Sequence, residues 1–236
     1  MARSGAKKQA FKVLLEPLLR RNSDLAGVGR MALVMPIGHV VRAVSIEPGD
    51  APERFRPVWF VDPLLGPYRS LSAHAGVEAS DHRRGYWDFS QPQVGQALAQ
   101  TLENSVLPLL RAVRDLEAMV NLGALSHPSS RDGRVYGVRA AREFVLKLAL
   151  GQVEVARRWA EGFRTYSYLD RQLRDEPEPN EEDRRYLDWT KRLVALLEKS
   201  DLEGMVRMLH EWEAETVRLM KLEHLWEPTP FPLELD

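Results

Sequence analysis

Apolar and polar positions follow two different rhythms along this chain, and the change of rhythm predicts its architecture. In the opening stretch, Ala6 to Arg21, the residues Phe11, Leu14, Leu15, Leu18 and Leu19 recur at spacings of three and four, which puts them on one helical face. Pro17 lies inside that stretch. It lacks a backbone donor and is expected to kink or shorten the helix. Asn22-Ser23-Asp24 makes a polar break, and Gly27 and Gly29 loosen the chain further. From Met31 the rhythm becomes that of strands. Met31 to Met35 and Val40 to Ile46 are rich in β-formers, and Pro36-Ile37-Gly38-His39 between them has the length of a hairpin connection. In the second run Val40, Arg42, Val44 and Ile46 share one face, and Val41, Ala43 and Ser45 the other. Pro48-Gly49-Asp50 is a turn, and Phe55 to Val61 supplies a third run, closed by Asp62-Pro63. Three such runs predict an antiparallel meander that the first helix can cover. Gly66 to Gly85 has little periodicity. Tyr86-Trp87-Asp88-Phe89 reads as a fourth short strand or as an aromatic plug at the domain edge.

From Ser90 onward the period is helical. Ser90 is the expected N-cap, with Pro92 tolerated in the first turn. Val94, Leu98, Leu102, Val106, Leu109, Val113, Leu116 and Val120 form an apolar stripe that Pro108 should kink or split. Gly123 is a natural stop, and Ser126 to Gly133 is a polar, breaker-rich loop. Val138 to Phe163 is helical again, with Gly151 expected at a turn between two shorter helices. Arg174 to Asp183 is a charged, proline-bearing linker for the surface, and Asn180 caps the helix that follows. Asp201 caps a last helix with the stripe Leu202, Met205, Leu209, Trp212, Thr216, Leu219 and Met220. Glu227 to Asp236, with its three prolines, is expected to be extended and to lie on the surface or hang loose. The fold class is therefore α+β: an N-terminal helix with a small antiparallel meander, then a mainly α-helical region, divided as 1–122 and 123–236.

Composition narrows the chemistry. With 44% hydrophobic and 28% charged residues, the 236-residue chain can build a core without disulfides or a structural metal. It has no cysteine, which removes thiolate nucleophiles, disulfide frameworks and cysteine-ligated zinc together, and fits a reducing cytoplasm. No uninterrupted apolar run follows the charged N-terminus, so a signal peptide is not expected. The most apolar window, Met31 to Ile46, is broken by Pro36, Gly38, His39 and Arg42, and is too short to span a bilayer. A net charge of −1 gives no general attraction to nucleic acid or to an anionic membrane. The expectation is a soluble cytoplasmic protein without a membrane partner, a cofactor or a metal.

Three clusters carry candidate chemistry. His39, Arg42 and Trp59 with Asp62 lie on or near the meander, where adjacent strands could bring an imidazole, a guanidinium and a carboxylate together. The plainer alternative is that Arg42 pairs with a carboxylate at the seam between sheet and helix while His39 sits in a turn. His82-Arg83-Arg84 before Tyr86-Trp87 combines cations with stacking rings, the minimal kit for a single-stranded nucleic acid or a phosphorylated ligand. Aromatic burial alone also explains Tyr86 and Trp87. His210 and Glu213 share a helical face, but Ala214 stands where a zinc-protease helix needs its second histidine, so a solvated charged face is the better reading. Gly27-Val28-Gly29-Arg30 lacks the Lys-Ser/Thr of a phosphate loop and the third glycine of a dinucleotide site.

The helix–meander opening, with Gln9-Ala10-Phe11-Lys12 on the helix and Val41-Arg42-Ala43-Val44-Ser45-Ile46 on a strand, resembles small uncharacterised bacterial domains, some of them candidate immunity proteins of toxin systems. The resemblance covers about the first half of the chain, rests on pattern and transfers no functional residue. It implies a protein that binds another protein. The expected function is thus a non-enzymatic binding or accessory factor in a bacterial cell, in immunity or defence, with Arg42, Trp59, Arg83, Arg84 and Trp87 as binding residues. The alternative is an enzyme or nucleic-acid-processing factor using His39/Arg42/Asp62 or His82/Arg84. The wide stripes of the last two helices could close on this chain or on a second copy.

Overall fold

A computed structural model describes residues 2–66, 77–78, 87–122, 137–165 and 180–235. It has the α+β architecture the two rhythms predict: a helix, an antiparallel sheet, then mostly helices. The chain forms two compact units, Met1–Pro63 with Leu71–Leu125, and Leu64–Ser70 with Ser126–Asp236.

The first unit holds α1 (Ala2–Arg21), β1 (Leu25–Val28), β2 (Met31–Val34), β3 (Val40–Pro48), β4 (Arg54–Pro63), β5 (Val77–Glu78), β6 (Trp87–Asp88), α2 (Val94–Ser105), α3 (Leu107–Ala112) and α4 (Leu116–Asn121). The sheet runs β1-β2-β3-β4-β5 with every pair antiparallel, and β6 also pairs with β4. Two strands fall where none is expected from the sequence. β1 occupies the stretch that its glycines seemed to loosen, and both glycines have specific work there. A Cβ on Gly27 would come 2.9 Å from Leu19 Cδ1 of α1, so the helix packs down onto bare backbone. Gly29, at φ 62°, opens the two-residue loop to β2, a position that hairpins reserve for glycine. β5 is only two residues long, too short to leave a period. Of the two readings of residues 86–89, the strand holds for Trp87–Asp88.

Register assigns the faces. Gly27, Ala32, Val44 and Trp59 form one cross-strand row, and Gly27 meets Leu19, so this is the face that carries α1. Val40 to Ile46 are all buried, so β3 is covered on both faces and reads as one nearly continuous apolar run. On the α1 side, Phe11 meets Phe89 at 5.8 Å between ring centroids, Phe89 meets Phe55 at 4.6 Å, and Phe55 meets Trp87 at 6.3 Å.

Two local expectations are corrected here. α1 is not shortened at Pro17 but continues to Arg21, because Leu14, Leu15 and Leu18 are buried on both sides of the proline and their packing outweighs one lost backbone bond. Ser90 does not cap α2. The Asp88 carboxylate accepts from both the backbone N–H and the hydroxyl of Ser90 at 2.7 Å, and the helix starts at Val94 after Gln93. Pro108 splits the long stripe as expected, standing in the first turn of α3. The break also resets the phase, so that Leu110 is buried and Leu109 is exposed.

The second unit holds α5 (Gly137–Ala149), α6 (Val153–Thr165), α7 (Glu181–Glu198), α8 (Leu202–Met220) and a 3₁₀ turn at Pro232–Glu234. Gly151, at φ 72°, turns the chain between α5 and α6. The caps are as the sequence predicts: Asn180 Oδ1 accepts from Asp183 N–H and Asp201 Oδ1 from Gly204 N–H, each at 2.9 Å. The segment after α8 does not hang loose, since Phe231 and Leu233 are buried. The loop Ser126 to Gly133 and the linker up to residue 179 lie outside the described residues.

Candidate functional site

In the first unit, Arg42 is the cation that the strand pattern singled out, and the fold places it in the helix–sheet seam. It is 6% exposed, on the α1 face of β3, one step from Val44 and diagonal to Trp59. Its Nη2 donates to Val34 O at 3.2 Å and to Pro36 O. The guanidinium thereby satisfies carbonyls of the β2–β3 connection that the ladder leaves over. Burial lowers its pKa from the ordinary arginine value, and the Asp24 carboxylate opposes the shift. Asp62 does not join it. Asp62 pairs with Val41, and strict alternation turns its side chain to the opposite face from Arg42. The sequence brought His39, Arg42, Trp59 and Asp62 near one another without fixing register, and register separates the guanidinium from the carboxylate. His39 is buried in the turn before β3.

The partner that does act on Arg42 was missed. Asp24, in the polar break after α1, takes a two-pronged ion pair from Arg111 of α3, with Nε and Nη2 each donating at 2.7 Å. Arg111 Nη2 also donates to Asn22 Oδ1, and Asn22 Nδ2 donates to Glu103 of α2, both at 2.8 Å. Arg21 completes the chain with Glu103 at 3.0 Å. The Arg111 hydrogen bond holds Asp24 below the usual carboxylate range, and Asp24 in turn raises Arg111. These pairs span more than eighty residues, so no local spacing announces them.

Trp87 is buried against Phe55 within the aromatic cluster, and Trp59 is half-buried. His74, His82, Arg83, Arg84 and Tyr86 lie outside the described residues.

The second unit gathers rings and charges differently. Trp212 of α8 is buried and contacts two rings of α7, Trp189 at 4.9 Å and Tyr186 at 6.2 Å. Trp189 is only half-buried. One turn before it, the Arg185 guanidinium lies 5.3 Å from the Trp189 ring centroid and pairs with Glu215 of α8. The spacing of four between Arg185 and Trp189 is legible in the sequence, but the reach to Glu215 depends on how α7 and α8 pack. His210 and Glu213 share a face as expected, with His210 Nδ1 3.9 Å from Glu213 Oε2. Glu213, however, is fully buried rather than solvated, a correction to the charged-face reading. The other imidazole nitrogen lies 2.7 Å from Glu234 Oε1, a partner 24 residues away. Among the described residues no group of three or more His, Asp or Glu is placed to hold a metal ion, and no helix is long and apolar enough to cross a membrane.

The comparisons with known proteins give no match: no family model fits the sequence, and no curated protein or solved structure is significantly similar to it.

Proposed function

We propose that the protein is a non-enzymatic binding factor that recognises another protein through the α7–α8 face bearing Arg185, Trp189 and Glu215. The observation that carries this reading is the half-buried Trp189, backed by Trp212 and overlaid by an arginine that Glu215 orients. A tryptophan held rigid on one side and partly accessible loses little side-chain entropy on contact, and Trp and Arg are the residues that most often anchor protein interfaces. Immunity or defence in a bacterial cell, the setting that the helix–meander resemblance implies, is a particular case of this reading. The catalytic alternative that joins Arg42 to Asp62 draws no support from the sheet register, since these two face opposite ways.

The test is recovery of partners by the tagged full chain, cross-linked in its native host and identified by mass spectrometry. A partner that Trp189→Ala and Arg185→Glu each reduce at least about tenfold, at a nearly unchanged melting temperature, supports the reading. A partner recovered equally well by both variants, or no partner at all, overturns it.

A further inference from the structure

The segment after α8 is seated on its own unit in the manner of a bound peptide. Residues 227–230 are all exposed and include Pro228 and Pro230. The chain then turns inward, and Phe231 and Leu233 are 0% and 3% exposed. One carboxylate fixes this entry: Glu234 Oε1 accepts from Phe231 N–H at 2.7 Å and lies 2.7 Å from His210 Nε2 on α8. The His210 ring also packs on the Phe231 ring at 4.7 Å between centroids, and its far nitrogen lies 3.9 Å from the buried Glu213. The 3₁₀ turn contacts α5 as well. Leu235, next in line, is 74% exposed. Two apolar anchors two residues apart, a polar contact to the helix beneath them, and an exposed stretch leading in are parts of peptide recognition in a groove.

We infer that residues 231–234 are an internal ligand, and that the groove on α5 and α8 takes a partner's peptide of the same chemistry: an aromatic residue, a leucine two further on, and a carboxylate after that. The inference rests on the binding-protein reading above and names the chemistry of the partner. The tethered copy competes at an effective concentration that short linkers put in the millimolar range, about 1 mM, so the groove stays closed until a tighter or more abundant peptide displaces it. Polar selectivity then lies with His210, which offers its ring face to the aromatic anchor and its Nε2 to the carboxylate.

The experiment keeps the full chain. A protease site is placed in the exposed stretch 227–230, the folded protein is cut there, and a fluorescent peptide of residues 229–236 is titrated into cut and uncut protein. The cut protein should keep its helical signal and bind the peptide saturably. The uncut protein should bind it at least about tenfold more weakly, because its own segment competes. A peptide carrying Phe231→Ala should also lose at least about tenfold, as expected for a fully buried ring. Unfolding on cleavage would make the segment part of the core and overturn the inference, as would equal binding to cut and uncut protein. Dimers formed by exchange of the segment would overturn it too, by making a second copy the occupant. Failure here leaves partner recovery through Trp189 untouched, and failure there leaves peptide binding untouched, so the two readings are separable.

Discussion

The two units use charge differently. In the sheet unit, charge ties elements of the fold to one another. Arg42 serves leftover carbonyls, while Asp24, Arg111, Asn22 and Glu103 tie the end of α1 to α2 and α3. In the helical unit, Arg185 is set over the half-buried Trp189, and His210 packs on the buried Phe231. The difference teaches where to look for recognition. A guanidinium buried like that of Arg42 is closed to a ligand, whereas one held over a partly accessible tryptophan is a candidate anchor.

The comparison would break most visibly at the ring centres. Phe55→Ala in the sheet unit and Trp212→Ala in the helical unit should each cost about 3–5 kcal/mol in denaturant unfolding, because both side chains are fully buried. A loss well under about 1 kcal/mol at either site would mean that unit has no firm core there. Next in size is Arg42→Met, expected to cost about 2–4 kcal/mol by leaving the Val34 and Pro36 carbonyls without their donor. If Arg42→Met instead proves neutral in stability, Arg42 is free for function and the contrast between the units weakens. The caps come third. Asn180→Ala and Asp201→Ala should each lose about 1 kcal/mol, read as a shift in urea midpoint.

The smallest effect is the pH-dependent one. Asp24 is lowered by Arg111, so its contribution is fully present above the unfolded-state value and is lost as pH falls through the lowered folded value. Wild type should exceed Arg111→Met by less than about 1 kcal/mol at neutral pH, since both groups are substantially exposed. That gap should close as the pH falls through the ordinary carboxylate range and below it. A gap that stays constant over that range would mean Arg111 acts by packing rather than by charge.

What was legible in the sequence follows the same divide. Runs of β-formers gave β2, β3 and β4, period-3.6 stripes gave the helices, and Asn180, Asp201, Pro108 and Gly151 marked ends and breaks correctly, because each of these signals is local. β1 escaped because its glycines answer to Leu19 and to a hairpin loop, neither visible in a four-residue window. The Asp24–Arg111 pair, the reach of Arg185 to Glu215 and that of His210 to Glu234 escaped for one physical reason: each depends on which helices pack together. Arg42 and Trp59 stood out in the sequence as candidate binding residues, yet where their side chains lie turned on register, which a single strand does not encode.

The proposed function assigns recognition to the helical unit and leaves the sheet unit as scaffold. Its most direct test pairs two half-buried tryptophans, Trp59 and Trp189, one from each unit. Trp59→Ala and Trp189→Ala chains are compared for recovery of the cross-linked partner, with melting temperatures measured alongside. The account predicts that Trp189→Ala loses the partner at least about tenfold while Trp59→Ala retains it. Loss with Trp59→Ala and retention with Trp189→Ala would contradict it.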